Sequence, residues 1–249
     1  TDTLGRCIEC YQVIDSTNRR AVEWARTGAP DGALVLAEEQ TAGRGRLGRQ
    51  WHAPAGSALL CSLVLRPSLQ PAQAQRATMM CSLAVLDAIR REAGATALVK
   101  WPNDVLLSGH KVAGILTELG VEGQVLQYVV VGIGLNVNLD VAVLPETMVP
   151  ATSLMAEVGA PVSRLALLCR MLEAMEGRYR ALAEGWLPHD EWRSHLATLG
   201  TWVRVHTGSS VIDGEAIDVD IDGALVVRRA DGVEQHVLAG DVTLRGDAR

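Results

Sequence analysis

The pattern of this chain predicts an α+β protein with a small all-β unit at its C-terminal end, on three observations. Strand-like segments at 97–107, 111–119 and 124–139 follow one another with connections too short for crossover helices. That spacing implies a mixed or antiparallel sheet with flanking helices. Two long segments, from Pro71 to Arg91 and from Ser163 to Leu182, carry helical apolar spacing. After Gly200 the pattern changes: Asp213-Gly214, Asp222-Gly223 and Asp231-Gly232 recur every nine residues between short alternating stretches. Asp-Gly is a hairpin-turn dipeptide, so residues 200–246 read as a barrel-like unit of about five strands. The expected division is residues 1–199 and residues 200–249.

Residues 8–14 read as a short strand, and Ser16 or Thr17 then caps a helix reaching about Arg26, with Ala21, Val22 and Ala25 on its apolar face. Residues 33–38 form a buried strand. From Thr41 to Gly56 the chain is rich in Gly, Arg and Pro without apolar period, a loop of about 16 residues and long enough to suspect function. Residues 57–65 are a strand. The helix that begins at Pro71 is apolar over most of its circumference and so belongs at the centre. Residues 140–160 are irregular. The helix capped by Ser163 carries Leu165, Leu168, Leu172, Met175, Tyr179 and Leu182 on one stripe, and a further helical stretch spans about 188–198.

With 249 residues the chain has room for one full domain and a smaller one. No apolar run reaches the roughly 18–20 residues of a membrane span. Thr1 to Cys10 lacks the basic and apolar regions of a secretory signal. The five cysteines are odd in number and are expected to be buried free thiols of a reducing compartment, which makes the cytoplasm the expected location. Cys7 and Cys10 have C-x-x-C spacing, but no second pair completes a metal site, and none is expected.

A net charge of −6 argues against general nucleic-acid binding. Its distribution is uneven. Between Glu39 and Asp87 there is no acidic residue, while Arg44, Arg46, Arg49, Arg66 and Arg76 all fall there, so the segment is expected to meet an anion. Lys100 and Lys111 are the only lysines, against 21 arginines, and lie within twelve residues of each other. A lysine is kept where a compact ammonium is wanted and a planar guanidinium will not fit. For the absence of phenylalanine we have no physical account.

Four segments carry chemistry. In Gly43-Arg44-Gly45-Arg46-Leu47-Gly48-Arg49-Gln50-Trp51, glycines let backbone N–H groups approach a ligand, and arginines offer forked donors to phosphate or carboxylate. A solvated loop or a disordered RNA-binding arm is the plainer reading. The pattern fits neither a P-loop nor a dinucleotide fingerprint. Val99-Lys100-Trp101-Pro102-Asn103-Asp104 gathers a cation, an amide and a carboxylate, although Pro-Asn-Asp is also ordinary turn chemistry. His110-Lys111-Val112-Ala113-Gly114-Ile115-Leu116 is a strand opened by a lysine, otherwise a surface hairpin lysine. In Gly132-Ile133-Gly134-Leu135-Asn136-Val137-Asn138, glycines within a strand signal close approach of another group. Asn136 and Asn138 share a face; a bulge with structural asparagines is the alternative.

Taken in order, G-R-G-R-x-G-R-x-W, K-W-P-N-D, K-x-x-G-I-L and G-x-G-x-N resemble the biotin protein ligases, and Ser16-Thr17-Asn18 fits their early S-T-N motif. The resemblance spans about residues 8–140, and the terminal β unit fits the family's small SH3-like barrel. It implies a class II aminoacyl-tRNA synthetase-like catalytic domain, with biotin and ATP as substrates, Mg²⁺, and a lysine of a biotin carboxyl carrier protein or carboxylase domain as acceptor. Neither DNA nor membrane binding is carried over, because the S-T-N motif at Ser16 leaves no room before it for the helix-turn-helix of the repressor-type members. The chain would be a monomer or homodimer.

By the same resemblance Arg46 and Lys111 hold the biotin carboxylate and the α-phosphate. Arg44, Arg49, Lys100, Asn103 and Asn136 manage ATP and metal, and Trp51 packs near adenine. Ser16, Thr17 and Gln40 bond the ureido ring. Gly43, Gly114, Leu116, Gly132 and Gly134 shape the biotin slot beside Arg44, and Asp104 orients the incoming lysine. A lipoate ligase shares this chemistry, but its R-R-x-x-G-G-G segment is absent here. An RNA-binding module conflicts with the acidic balance, and an inactive scaffold would have lost motif residues, of which none of the central ones is lost here.

Overall fold

The computed structural model describes residues 1–143, 150–208 and 210–244. In chain order the elements are β1 (Ile8–Ile14), α1 (Thr17–Arg26), β2 (Leu34–Gln40), β3 (Ala58–Leu65), α2 (Gln75–Ala93), β4 (Ala97–Lys100), β5 (Asp104–Leu107), β6 (His110–Glu122) and β7 (Val125–Asn136). There follow α3 (Leu154–Val158), α4 (Arg164–Ala183), α5 (His189–Ser194), β8 (Trp202–Thr207), β9 (Ser210–Val219), β10 (Leu225–Arg228), β11 (Glu234–Val237) and β12 (Asp241–Leu244).

The first seven strands form one mixed sheet in the order β1-β2-β3-β7-β6-β5-β4. Only β1 and β2 run parallel, joined through α1; every other neighbour is antiparallel. A crossover helix is what a parallel pair requires. β3 is buried at all eight positions, as a strand covered on both faces must be. On one face lies α1, whose Ala21 and Ala25 meet Val35, Val64 and Val130. On the other lies α2, buried continuously from Ala77 to Leu86 and packed between the sheet, α4 and α5. The side chain of Ser16 caps α1 through Arg19 N, and that of Ser163 caps α4 through Ala166 N.

The last five strands form an antiparallel sheet in the order β11-β10-β9-β8-β12. Its inward residues Val203, Val205, Ala216, Leu225 and Val227 belong to the same apolar core as α2 and the large sheet. The seam between the sheets is specific. The Trp101 indole N–H donates to Gly223 O at 2.8 Å, and Arg76 Nε donates to Asp222 at 2.9 Å.

Several sequence expectations need correction. Segment 97–107 is two strands, because Trp101, Pro102 and Asn103 make the turn that pairs β4 with β5. Asp213-Gly214 is no turn: both residues lie inside β9, where Gly214 runs against β10. Leu165 is exposed, and the buried face of α4 is instead Leu167, Leu168, Met171, Leu172, Met175 and Leu182. Of the cysteines only Cys61 and Cys81 are buried. Burial pushes the Cys61 thiol up to about 12. Cys7, Cys10 and Cys169 are free and exposed. The stretch 140–160, read as irregular, carries helix α3 at Leu154–Val158, capped by Ser153; its residues 144–149, residue 209 and the last two of 200–246 lie outside the described residues.

Candidate active site

A cavity of about 560 Å³ opens over β6 and β7 beside the start of α1, and it draws together residues from every motif segment. Apart from Gly43, each residue that the sequence assigns to biotin or ATP lines it. Gly43 acts through Trp51: its carbonyl accepts from Trp51 N at 3.0 Å, and a side chain on it would run into the Trp51 backbone.

The floor is made by sheet residues. β6 and β7 pair Gly114 with Gly134 and Leu116 with Gly132. The missing side chains are filled by neighbours. A Cβ on Gly134 would lie 2.5 Å from the Trp51 ring, and one on Gly132 would overlap Asn18 Oδ1. These are positions where another group must come close, as a glycine within a strand signals. Trp51 therefore rests on Gly114 and Gly134, the glycines assigned to the biotin slot, with the Lys111 ammonium 5.6 Å from its ring centre.

The charged groups are arranged around this floor. Lys111 Nζ lies 2.7 Å from Asp104 Oδ1, across the β5–β6 pairing. Lys100 is 4 % exposed at the end of β4. Both lysines of the chain thus face one cavity. Asn103, in the turn between β4 and β5, exchanges backbone and side-chain bonds with Ile115. Its Oδ1 accepts from Arg46 Nη1 at 3.3 Å. Burial lowers the Arg46 guanidinium below its ordinary value, against the pull of Asp241 and Asp104. The N-terminus of α1 brings in Ser16, Thr17 and Asn18, where Thr17 N donates to Gln40 Oε1 at 2.8 Å.

The Arg/Gly loop is an ordered hairpin-like strap: Arg44 bridges Gln50, and the chain reverses at Leu47 and Gly48 with positive φ. Its three arginines are held by three different elements. Arg44 Nη1 donates to Glu118 of β6 at 3.0 Å, Arg46 to Asn103, and Arg49 to both carboxylate oxygens of Asp241 on β12. Of the other arginines in the acid-free segment, Arg66 caps the end of α1 through Ala25 and Ala29 carbonyls, and Arg76 ties the two sheets. They serve the fold, not the cavity.

Sequence reasoning missed Glu118, Asp241 and the other β12 residues on the rim, Val242 and Thr243. Glu118 had a signal, since it shares a strand face with Leu116 two residues before it. Asp241 had none, being far along the chain in the other sheet. Asn136 lines the cavity and donates to Thr152 O, while its Oδ1 is buried with no hydrogen-bond partner among the described residues. Asn138 instead bonds Val162 and stays outside. Among the described residues no three His, Cys, Asp or Glu side chains gather as a metal cage.

A model of the biotin/lipoate A/B protein ligase family matches residues 10–136, and one of the biotin protein ligase C-terminal domain matches residues 198–245. The chain is 34% identical over 247 residues to the bifunctional ligase/repressor BirA of Bacillus subtilis, covering 98% of this chain and 76% of that one. The chain belongs to the biotin/lipoate A/B protein ligase family. Within the family it is also 37% identical to the biotin–[acetyl-CoA-carboxylase] ligase of Paracoccus denitrificans, over 93% of this chain and 98% of that one. The biotin protein ligase of Aquifex aeolicus, solved in complex with biotin and ATP, superposes with a TM-score of 0.81 at 28% identity, over 96% of this chain and 99% of the other. The mixed sheet with its helices and the C-terminal antiparallel sheet are therefore the biotin protein ligase fold.

Proposed function

We propose that this cavity takes biotin and ATP together, joins them as biotinyl-5′-adenylate, and passes the biotinyl group to a lysine of a carboxylase carrier domain. The chain is a biotin–protein ligase. The observation that carries the residue-level reading is the convergence of both lysines, three arginines and Asp104, from segments far apart in sequence, on one cavity floored by glycines.

In the first step a carboxylate oxygen of biotin bonds to the α-phosphorus and pyrophosphate leaves. Negative charge grows on the phosphate oxygens, and preorganised cations stabilise it without a side-chain nucleophile. Arg46 and Lys111 take this role. Lys111 starts from an ion pair with Asp104, which fixes the ammonium in place. Arg49, Lys100 and Asn103 bind the nucleotide, Arg44 lies between the nucleotide and the biotin slot, and Trp51 packs beside adenine. Ser16, Thr17 and Gln40 meet the ureido ring, and the slot is shaped by Gly43, Gly114, Leu116, Gly132 and Gly134. In the second step the acceptor amine attacks the acyl carbon, AMP leaves and one proton is released. Asp104, relieved of Lys111 by the phosphate, is the carboxylate that orients the incoming amine.

Mg²⁺ fits this site as an ion brought by the nucleotide, because Asp104 and Asp241 are already paired with cations and Asn136 Oδ1 is a buried oxygen without a partner among the described residues. When bound it would neutralise phosphate charge. We read the catalytic unit as class II aminoacyl-tRNA synthetase-like and the terminal one as an SH3-like barrel, divided at 199/200. The exposed free thiols suit a reducing compartment, the cytoplasm. To test the reading, the protein is incubated with ATP, Mg²⁺ and either biotin or lipoate, and the acyl-adenylate is detected by mass. Biotinyl-adenylate alone is expected. Lipoyl-adenylate, or neither product, would overturn it.

A further inference from the structure

Glu118 belongs to none of the motif segments, yet two of them meet on it. The network begins with the absence of a side chain at Gly132, which leaves room for Asn18 at the start of α1. The Asn18 side-chain oxygen lies 2.6 Å from buried Ser62 Oγ, a hydroxyl shared with Thr17 Oγ1, and the amide's direction is fixed on its other side by two groups that can only accept. That amide donates to Leu116 O at 3.2 Å and to Glu118 Oε2 at 3.0 Å. The other carboxylate oxygen, Oε1, accepts from Arg44 Nη1 at 3.0 Å. Each oxygen of Glu118 thus serves one partner, one on the slot wall and one on the strap that crosses it.

We propose that Glu118 is a positioning residue for biotin, holding Arg44 of the strap against the slot wall that Asn18 and Leu116 form. The proposal rests on the biotin reading of the cavity. It does not rest on stability: Arg44 and Glu118 side chains are 47% and 26% exposed, and pairs of that kind contribute little to folding. What the pair supplies is placement. Glu118 does not line the cavity and touches no expected substrate atom, so it acts through Arg44. A glutamine there presents one acceptor where two donors point, and no charge. It can keep Asn18 and release Arg44, which leaves the fold intact.

The test is a cycle of Glu118→Gln, Arg44→Gln and the double variant, each measured for biotin affinity by calorimetry, for adenylation rate at saturating biotin, and for melting temperature. Glu118→Gln should bind biotin about threefold to fivefold more weakly, what the loss of an ion pair worth about 1 kcal/mol or less gives, and Arg44→Gln at least as much more weakly. Melting temperature and saturated rate of Glu118→Gln should stay close to the parent's. The double variant should bind no more weakly than Arg44→Gln alone. A change below about twofold for Glu118→Gln, or a double variant whose weakening is the product of the two single effects, would overturn the proposal. Failure of the parent protein to bind biotin at all would overturn the functional reading instead.

Discussion

On the floor of the cavity Lys100 is 4 % exposed and Lys111 sits 2.7 Å from Asp104 on paired strands; on the strap above it the Arg44 and Arg49 side chains are 47% and 55% exposed, and each leans on one acidic residue of another element. The floor charges spring from paired strands, so their Cα positions are fixed and only the side-chain ends can turn toward a substrate. Two of the strap charges, Arg44 and Arg49, are placed by ion pairs at the surface, each worth about 1 kcal/mol or less and easily released, and the third, Arg46, by one hydrogen bond to Asn103. A catalyst needs both kinds. Groups that stabilise charge in the transition state must be in place beforehand, while a segment that admits substrates and then shields a mixed anhydride from water must open and close.

The largest effect expected from this contrast is on the floor. Lys111→Arg keeps the charge but replaces a compact ammonium with a broad fork beside Trp51 and Gly114. Pyrophosphate release should fall by about 10²-fold or more, near 3 kcal/mol in barrier, with the melting temperature little changed. Near-normal release would break the comparison. Gly132→Ala should come next. Its Cβ would fall on Asn18 Oδ1, so the start of α1 must shift, at about 1–3 kcal/mol of stability by thermal unfolding. An unchanged midpoint would mean that the floor is softer than its spacing suggests. The smallest effect on stability belongs to the strap. Arg46→Gly removes the hydrogen bond to Asn103 and should raise labelling of exposed lysines on an unrelated protein by about tenfold. Bystander labelling equal to the parent's would deny the strap its retaining role.

The local part of this site was legible in the sequence, and the non-local part was not. Lys100, Asn103 and Asp104 share a turn, and Lys111, Gly114 and Leu116 share a strand, so spacing alone places each set. Arg44, Arg46 and Arg49 stood out because no acid lies near them in sequence, and the acids that meet Arg44 and Arg49, Glu118 and Asp241, come from β6 and β12. Pairing across elements leaves no trace in spacing. The same limit explains Arg66 and Arg76, which looked like ligand groups and serve helix and sheet packing. Local rules failed where tertiary context decided: the Asp213-Gly214 dipeptide lies within β9, where Gly214 is required by its close approach to β10. On α4 the stripe was read partly off the face that packs, so Leu165 points to solvent while Leu167 is buried.

The division between floor and strap is tested most directly by one measurement on three proteins. Parent, Lys111→Arg and Arg46→Gly are each mixed with ATP, Mg²⁺ and biotin without acceptor, passed rapidly through a size filter, and biotinyl-adenylate is quantified by mass in the retained and free fractions. The parent should hold nearly all of it, Lys111→Arg should make little in either fraction, and Arg46→Gly should make less than the parent but more than Lys111→Arg and release most of it to the filtrate. Equal retention by Arg46→Gly and parent, or abundant product from Lys111→Arg, would contradict the account.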